Sequence, residues 1–457
     1  MSGRAGRVGW AAIALVLFCA PMVPATARPK PGPAGTLANH GFVGQPIKSV
    51  FFFAGSWRHY PGTQYYEHPS VSNHCLYTEF PVDPRHLGWS ENAENRRFAL
   101  EQMTNAGVNV VNMSYWGKPG DDRWAFWAPM QTSTRAHDEL FDAAHSEGLL
   151  IAPYIEGGAP TQGQLSTGCH GEQGIVGTSP GYEFADDFPG TRQAPAPGLV
   201  SQIKDLISRY LVAPRKGAWK HRWARVYDQN GAERYAISII HAASNQLCPL
   251  RVACAPADDR TFAEGFGWVA DKVYADTGVR VGFLLDAMPP QARFVYNFVP
   301  SPATTGAALT QQPSVLAIQP FIPEIGSGLC PPDADCDAPA GSAALRLLVE
   351  WKRAFARSWI DTGIPYLFDA SPGYDGHRVF PDSPLWGNNE MWRDGQSEML
   401  GSLAASGITL NTWNGFTEGF AAMPVCRIPD GPPSLPECPA ADGADATYRW
   451  FASLSLP

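Results

Sequence analysis

Glu418 closes the segment Ile408-Thr-Leu-Asn-Thr-Trp-Asn-Gly-Phe-Thr-Glu418-Gly419, the stretch of this chain best suited to chemistry. The segment starts as an apolar, β-branched run, which reads as a buried strand. It then delivers Trp413, Asn414 and Glu418, an indole, an amide and a carboxylate, at that strand's end. Strand ends are where a barrel enzyme carries its reactive groups. Other apolar runs end in the same way. Trp57, His59 and Tyr60 follow one, and Asn112, Tyr115 and Trp116 end another. Tyr154 and Glu156, His241, Asp286, Gln319 with Glu324, and Asp369 end the rest. Singly, each has a plain structural use. His241 suits a satisfied interior histidine, and Asp286 and Asp369 suit loop caps. Glu156 precedes Gly157-Gly158, a turn that does not need a Glu. Several carboxylates among aromatics suit glycosidic cleavage, where one carboxyl protonates the leaving oxygen and another activates water or attacks the sugar.

A repeated unit must position these groups. A helix-like segment, a Gly and an apolar strand recur at Ala106-Gly107-Val108, Glu147-Gly148-Leu149, Thr277-Gly278-Val279, Thr362-Gly363-Ile364 and Ser406-Gly407-Ile408. Gly there reads as a left-handed helix cap followed at once by a strand. Eight strands are expected, at Ser49–Trp57, Val108–Trp116, Leu149–Glu156, Arg234–Ala242, Val281–Ala287, Val315–Phe321, Pro365–Ala370 and Ile408–Trp413. They are unbroken apolar runs, as in sheets covered on both faces. Helices are expected at Glu91–Asn105, His137–Ser146, Leu199–Leu211, Arg260–Asp276, Ala343–Ile360 and Asn389–Ala405. In Ala343–Ile360 the residues Leu345, Leu348, Trp351, Phe355 and Trp359 read as the core stripe. Alternation of this kind predicts one α/β fold, a single (β/α)8 TIM barrel. The long insertions mostly follow strands, which crowds them onto the C-terminal face. The exception precedes the fourth strand, where Asn230-Gly231 predicts a β-hairpin on the opposite face.

Length, charge and cysteines bound the class. The chain has 457 residues, a net charge of −9 and a pI of about 5.7, which gives no footprint for nucleic acid. Arg4 and Arg7, the apolar run Val8 to Val23 and Ala25-Thr26-Ala27 read as a secretory signal peptide over residues 1–27. A Pro-rich extended lead over 28–42 and one barrel domain over 43–457 would follow, secreted or periplasmic, without a membrane span, and monomeric. Loss of Cys19 with the leader leaves eight cysteines, an even number that favours disulfides. Cys248/Cys254, Cys330/Cys336 and Cys426/Cys438 pair locally in this reading, leaving Cys75 with Cys169. Asp333-Ala-Asp-Cys-Asp337 lacks the Gly and trailing Glu of a calcium loop, so neither metal nor cofactor is expected.

Trp413-Asn-Gly-Phe-Thr-Glu418-Gly419 resembles the Trp-Asn-Glu-x-x-Glu-Gly signature that ends the last barrel strand of the endo-α-mannosidase-like glycoside hydrolases. It is also similar to the Trp-Asn-Asp-x-x-Glu form of the α-1,3-glucanase group. The resemblance implies that Glu418 is a general acid/base and that the substrate is a polysaccharide or glycan. Gly415 stands where the signature has its first acid, so the partner carboxylate must come from another strand end. Glu156 and Asp286 are the candidates, with Asp369 after them. Trp57, His59, Tyr60, Asn112, Tyr115, Trp116, Tyr154, His241, Asp369, Trp413 and Asn414 would bind the sugar. The alternative is a carbohydrate-binding pseudoenzyme on the same barrel.

Overall fold

The computed structural model describes residues 46–53, 79–86, 92–115, 134–156, 199–212, 222–240, 242, 259–287, 300–330, 336, 342–376, 384–386, 389–415, 419–427 and 445–457. All of them lie in one compact unit, Pro33–Pro457.

Eight strands make the central sheet. They are β1 (Ile47–Phe52), β2 (Val110–Tyr115), β3 (Leu150–Glu156), β4 (Glu233–Ile240), β5 (Val281–Leu285), β6 (Val315–Ile318), β7 (Leu367–Ala370) and β8 (Gly407–Leu410). Neighbours run parallel in the order β6-β5-β4-β3-β2-β1-β8-β7. The two ends of that order meet where Ile318 bridges Tyr366 and the Ile318 N–H donates to the Pro365 carbonyl at 2.8 Å. The sheet therefore closes into a barrel, and β6/β7 is its thinnest seam among the described residues. Most strands stop short of the end of their apolar run, which continues into the C-terminal loop, whereas β3 and β7 end with their runs and start one and two residues late.

Helices follow the strands as α1 (Ala93–Asn105), α2 (Thr134–Ser146), α3 (Leu199–Ile207), α4 (Asp259–Thr277), α5 (Pro302–Leu309), α6 (Ser342–Ile360), α7 (Glu390–Ser402) and α8 (Ala446–Ser453). Asn92 and Asn389 cap two of them, each accepting from a backbone N–H three residues on at 2.9 Å. Gly107, Gly148, Gly278 and Gly363 take positive φ at the turn into the next strand, as the repeated unit predicts. Gly407 does not. It opens β8, where a Cβ would sit 2.5 Å from the Ile47 carbonyl oxygen, so close strand approach requires it instead. α5 and α8 were not legible as helices. Thr304, Thr305 and Gly306 weaken the helical signature of α5, although Ser301 and Pro302 are proper start residues. α8 is only eight residues long, and Asp445 before it makes no side-chain cap hydrogen bond.

The hairpin before β4 is present, with Arg225–Tyr227 antiparallel to β4. Its turn has three residues rather than two. Gly231, at φ 77°, donates to the Asp228 carbonyl at 2.9 Å, and the Asp228 side chain accepts from the N–H groups of Asn230 and Ala232. Gln229 donates to the Thr310 carbonyl at 2.9 Å, just before β6, so the hairpin lies at the N-terminal end of the strands.

The barrel interior has tiers. At the N-terminal end Ile47, Val110, Ala152, Ala236, Leu284, Ala317 and Leu367 form an apolar cluster, with Ala224 from the hairpin segment. Above it Ser49, Asn112, Ser238, Gln319 and Thr409 are hydrogen-bonded across the bore. Ser238 donates to Gln319 at 2.5 Å, and Gln319 donates to Thr409 at 2.9 Å and to Ser49 at 3.3 Å.

The Cys330–Cys336 disulfide forms as expected. Cys426 is also disulfide-bonded, to a partner outside the described residues. Cys75, Cys169, Cys248, Cys254 and Cys438, the signal-like leader and Asp333–Asp337 apart from Cys336 lie outside them too. No helix among the described residues is long and apolar enough to cross a membrane.

Candidate active site

The C-terminal tier of the bore is aromatic and acidic. Phe51 on β1 and Tyr154 on β3 meet edge to face at 5.3 Å, and Phe51 meets Phe321 at 5.1 Å. Phe321 continues to Phe420 at 6.3 Å, and Phe420 stacks on Tyr374 at 5.8 Å. Tyr374 in turn stacks on Trp386 at 5.4 Å, across a two-stranded ribbon formed by Tyr374–Asp375 and Leu385–Trp386. A run of rings thus crosses from β3 to the loop after β7.

Beside these rings stand buried charges. Asp286, just past β5, accepts from the Phe321 N–H at 3.0 Å. Asp369 on β7 is fully buried, and its Oδ2 accepts from the Lys352 ammonium of α6 at 2.7 Å. Lys352 also donates to Glu324, in the helical turn Pro323–Ser327 after β6. Asn411, just past β8, donates to Asp369 Oδ1. Burial pushes the Asp369 carboxyl well above the usual carboxylate range, and Glu324 beside it pushes the same way against the pull of Lys352. Burial and the surrounding carboxylates push the Tyr366 phenol up as well.

The expected site residues divide. Asp286, Asp369 and Tyr154 come together in this tier. Asn112 lies one tier below, fully buried, and donates to Ser49 at 3.2 Å. Tyr115 alternates outward with Val111 and Met113 into the helix-side core, where its hydroxyl donates to Asp205 at 2.9 Å. Trp413 is fully buried in that outer core, 6.2 Å from the rings of both His86 and Tyr448. Both ends of the Asn414 amide hold the β1 exit, accepting from the Phe53 N–H at 2.9 Å and donating to the Phe53 carbonyl at 3.0 Å. Glu156 is the last residue of β3, in register with Ile240. Glu418, Trp57, His59, Tyr60, Trp116 and His241 lie outside the described residues.

Gly415, the departure from the signature, is closely packed. A Cβ there would come within 2.5 Å of Thr412 Oγ1 and 2.6 Å of the Phe420 ring. Phe420 of the aromatic run therefore fills the space a side chain at 415 would need.

Lys352 is a residue of this tier that sequence reading missed. The buried face of α6 is Leu345, Leu348, Val349, Lys352, Ala356 and Trp359, whereas Trp351 and Phe355 are half-buried and stack on each other at 5.3 Å. The two aromatics drew the stripe one residue off phase. A lysine four residues after Leu348 and four before Ala356 was the available signal.

No family model matches this sequence, and no curated protein matches it. Among solved structures, the chain is similar to the GH99 endo-alpha-mannosidase from Bacteroides thetaiotaomicron, at 12% identity over 91% of this chain and 96% of that one, with a TM-score of 0.46. It is similar to a glycoside hydrolase-like protein at 12% identity, over 89% and 94%, with a TM-score of 0.49. A glycoside hydrolase family 5 mannosidase from Rhizomucor miehei gives 11% identity, over 89% and 92%, with a TM-score of 0.39. Likenesses this distant carry no argument about chemistry, and the barrel assignment rests on the chain's own strand order.

Proposed function

We propose that this chain is an exported glycoside hydrolase that cleaves an extracellular polysaccharide or glycan. Glu418 acts as general acid/base, and Glu156 or Asp286 is its partner carboxylate. The observation that carries the reading is Asp286, a buried carboxylate at a C-terminal strand end, one oxygen fixed by the Phe321 N–H, beside a run of aromatic rings. Hydrolysis of an acetal needs one carboxyl to protonate the departing oxygen and one carboxylate on the other side of the sugar. Aromatic faces bind the apolar faces of sugar rings, a role the loop residues Trp57, Tyr60 and Trp116 would share. The leader, the cysteine pairs and the acidic surface suit a monomer working outside the cytoplasm.

A second reading has its own support. Phe420 and Thr412 close the space at Gly415, so the signature's first acid has been replaced by packing rather than merely deleted. That favours a barrel that binds glycans without cleaving them.

The test is reducing-end release by the mature chain across a polysaccharide panel. Glu418→Gln is expected to lose at least about a hundredfold in turnover, the low end for general acid–base catalysis. Either Glu156→Gln or Asp286→Asn should fall comparably while glycan affinity holds. Full activity in both partner variants sinks the assignment. Glycan binding with no turnover on any substrate establishes the second reading instead.

A further inference from the structure

The buried group around Lys352 does not balance if every member is ionised. Glu324 and Asp369 would carry two negative charges against one ammonium, and all three side chains are at most 1% exposed. An uncompensated buried charge is strongly destabilising even after relaxation. Hydrogen bonding does not balance either. Lys352 takes Glu324 Oε1 and Asp369 Oδ2, and Asn411 takes Asp369 Oδ1. Glu324 Oε2 remains, buried and without a donor, as does Asn411 Oδ1. The Glu324 and Asp369 carboxyls are gathered on one ammonium, yet an ionised carboxylate can only accept. A single added proton makes the triad neutral and turns one carboxyl into a donor for its neighbour.

Other charged or titratable groups that bear on the pair come from the elements packed around it. The Tyr366 phenol before β7 is pushed up by burial and by Asp369, Glu324 and Asp286. From α6 the only such group in contact is Lys352, whose ammonium also lies 5.4 Å from the Trp392 ring of α7 and 5.5 Å from Phe368 of β7. From the β8 exit comes the neutral amide of Asn411.

We propose that Glu324 and Asp369 share one proton over Lys352, and that this neutral triad is the positioning element of the site, fixing Asn411 at the point where the Trp413–Glu418 segment leaves β8. Its role in turnover rests on the glycosidase reading above; the shared proton does not. The triad also spans the thin β6/β7 seam, since Glu324 follows β6, Asp369 lies on β7 and Lys352 comes from the helix between them.

Linkage gives the test. With its folded pKa raised above the unfolded value, Asp369 holds a proton in the native state that the unfolded chain releases above about pH 4. Its contribution to stability is therefore full below that pH and is lost as pH rises toward the folded pKa. Asp369→Asn has no such proton. The ratio of wild-type to Asp369→Asn folding constants, from urea unfolding, should fall about tenfold per pH unit between pH 5 and pH 7. A ratio constant within about twofold over that window overturns the proposal. The wild-type protein alone supplies a second readout. Its infrared spectrum at alkaline pH should retain a protonated-carboxyl stretch that Asp369→Asn lacks, and absence of that stretch from the wild type also overturns the proposal. On a glycan the wild type cleaves, Asp369→Ala should lower kcat at least about tenfold with KM nearly unchanged, and Asp369→Asn should restore most of it. Equal loss in both variants would deny the positioning role. A wild type inactive on every glycan would sink the glycosidase reading and leave the proton result standing.

Discussion

The two ends of the barrel bore are built on opposite terms. At the N-terminal end Ile47, Val110, Ala152, Ala236, Leu284, Ala317 and Leu367 pack without an ionisable group among them. At the C-terminal end Asp286, Asp369, Glu324, Lys352 and Asn411 are equally buried, four of them ionisable and the fifth an amide. Between them lies a tier of neutral hydrogen bonds through Ser49, Asn112, Ser238, Gln319 and Thr409. Burying apolar area stabilises a fold at about 25 cal/mol per Å². Burying an ion cluster rarely does, and apolar residues of the same volume are often better by about 1–4 kcal/mol. The gradient therefore sets the stabilising burial at one end and leaves the costly polar burial at the C-terminal end, where barrel enzymes carry their sites.

The comparison breaks most sharply at Lys352. Among the described residues, Lys352→Met removes the only cation touching these two buried carboxyls and leaves Glu324 without its counter-ion. Loss of about 3–5 kcal/mol in folding stability is expected, measured by urea unfolding. A loss below about 1 kcal/mol would mean that water reaches the triad and the charged end is not sealed. At the other end, Leu367→Ala opens a cavity in the apolar tier and should lose about 2–4 kcal/mol. Unlike the Asp369 variants, it should leave the pH dependence of stability parallel to that of the wild type. A change in that dependence would show that the two ends are coupled through β7, where Leu367 and Asp369 are two residues apart.

The apolar end was legible in the sequence and the charged end only in part, for a physical reason. Strand interiors covered on both faces read as unbroken runs, and the cap glycines at 107, 148, 278 and 363 mark where each begins. Those features are local, so they survive without a structure. Asp286 and Asp369 were legible as polar residues ending such runs. Lys352 was hidden because its meaning depends on which face of α6 meets the barrel, and Trp351 and Phe355 outweighed it as hydrophobic markers. Phe51, Phe321, Phe420, Tyr374 and Trp386 were hidden because rings contributed by five separate segments form a run only once the strands are ordered.

Asn414 gives the smallest effect and the finest division between structure and recognition at the charged end. Its amide reproduces a strand partner for Phe53, accepting from that residue's N–H and donating to its carbonyl, and so ties the β8 exit to the β1 exit. Both bonds are partly buried, and a typical intramolecular hydrogen bond contributes about 0.5–1.5 kcal/mol net. Asn414→Ala should therefore cost about 1–3 kcal/mol, and Asn414→Asp, which keeps the acceptor but sets a buried carboxylate oxygen against the Phe53 carbonyl, should cost more. If the amide also touched the glycan, affinity would fall in Asn414→Ala by more than the stability loss explains. Since both ends of the amide are already engaged with Phe53, the expected result is lower stability in urea unfolding with glycan affinity, measured well below the unfolding midpoint, unchanged. Reduced affinity at unchanged stability would move Asn414 from the scaffold into the binding surface.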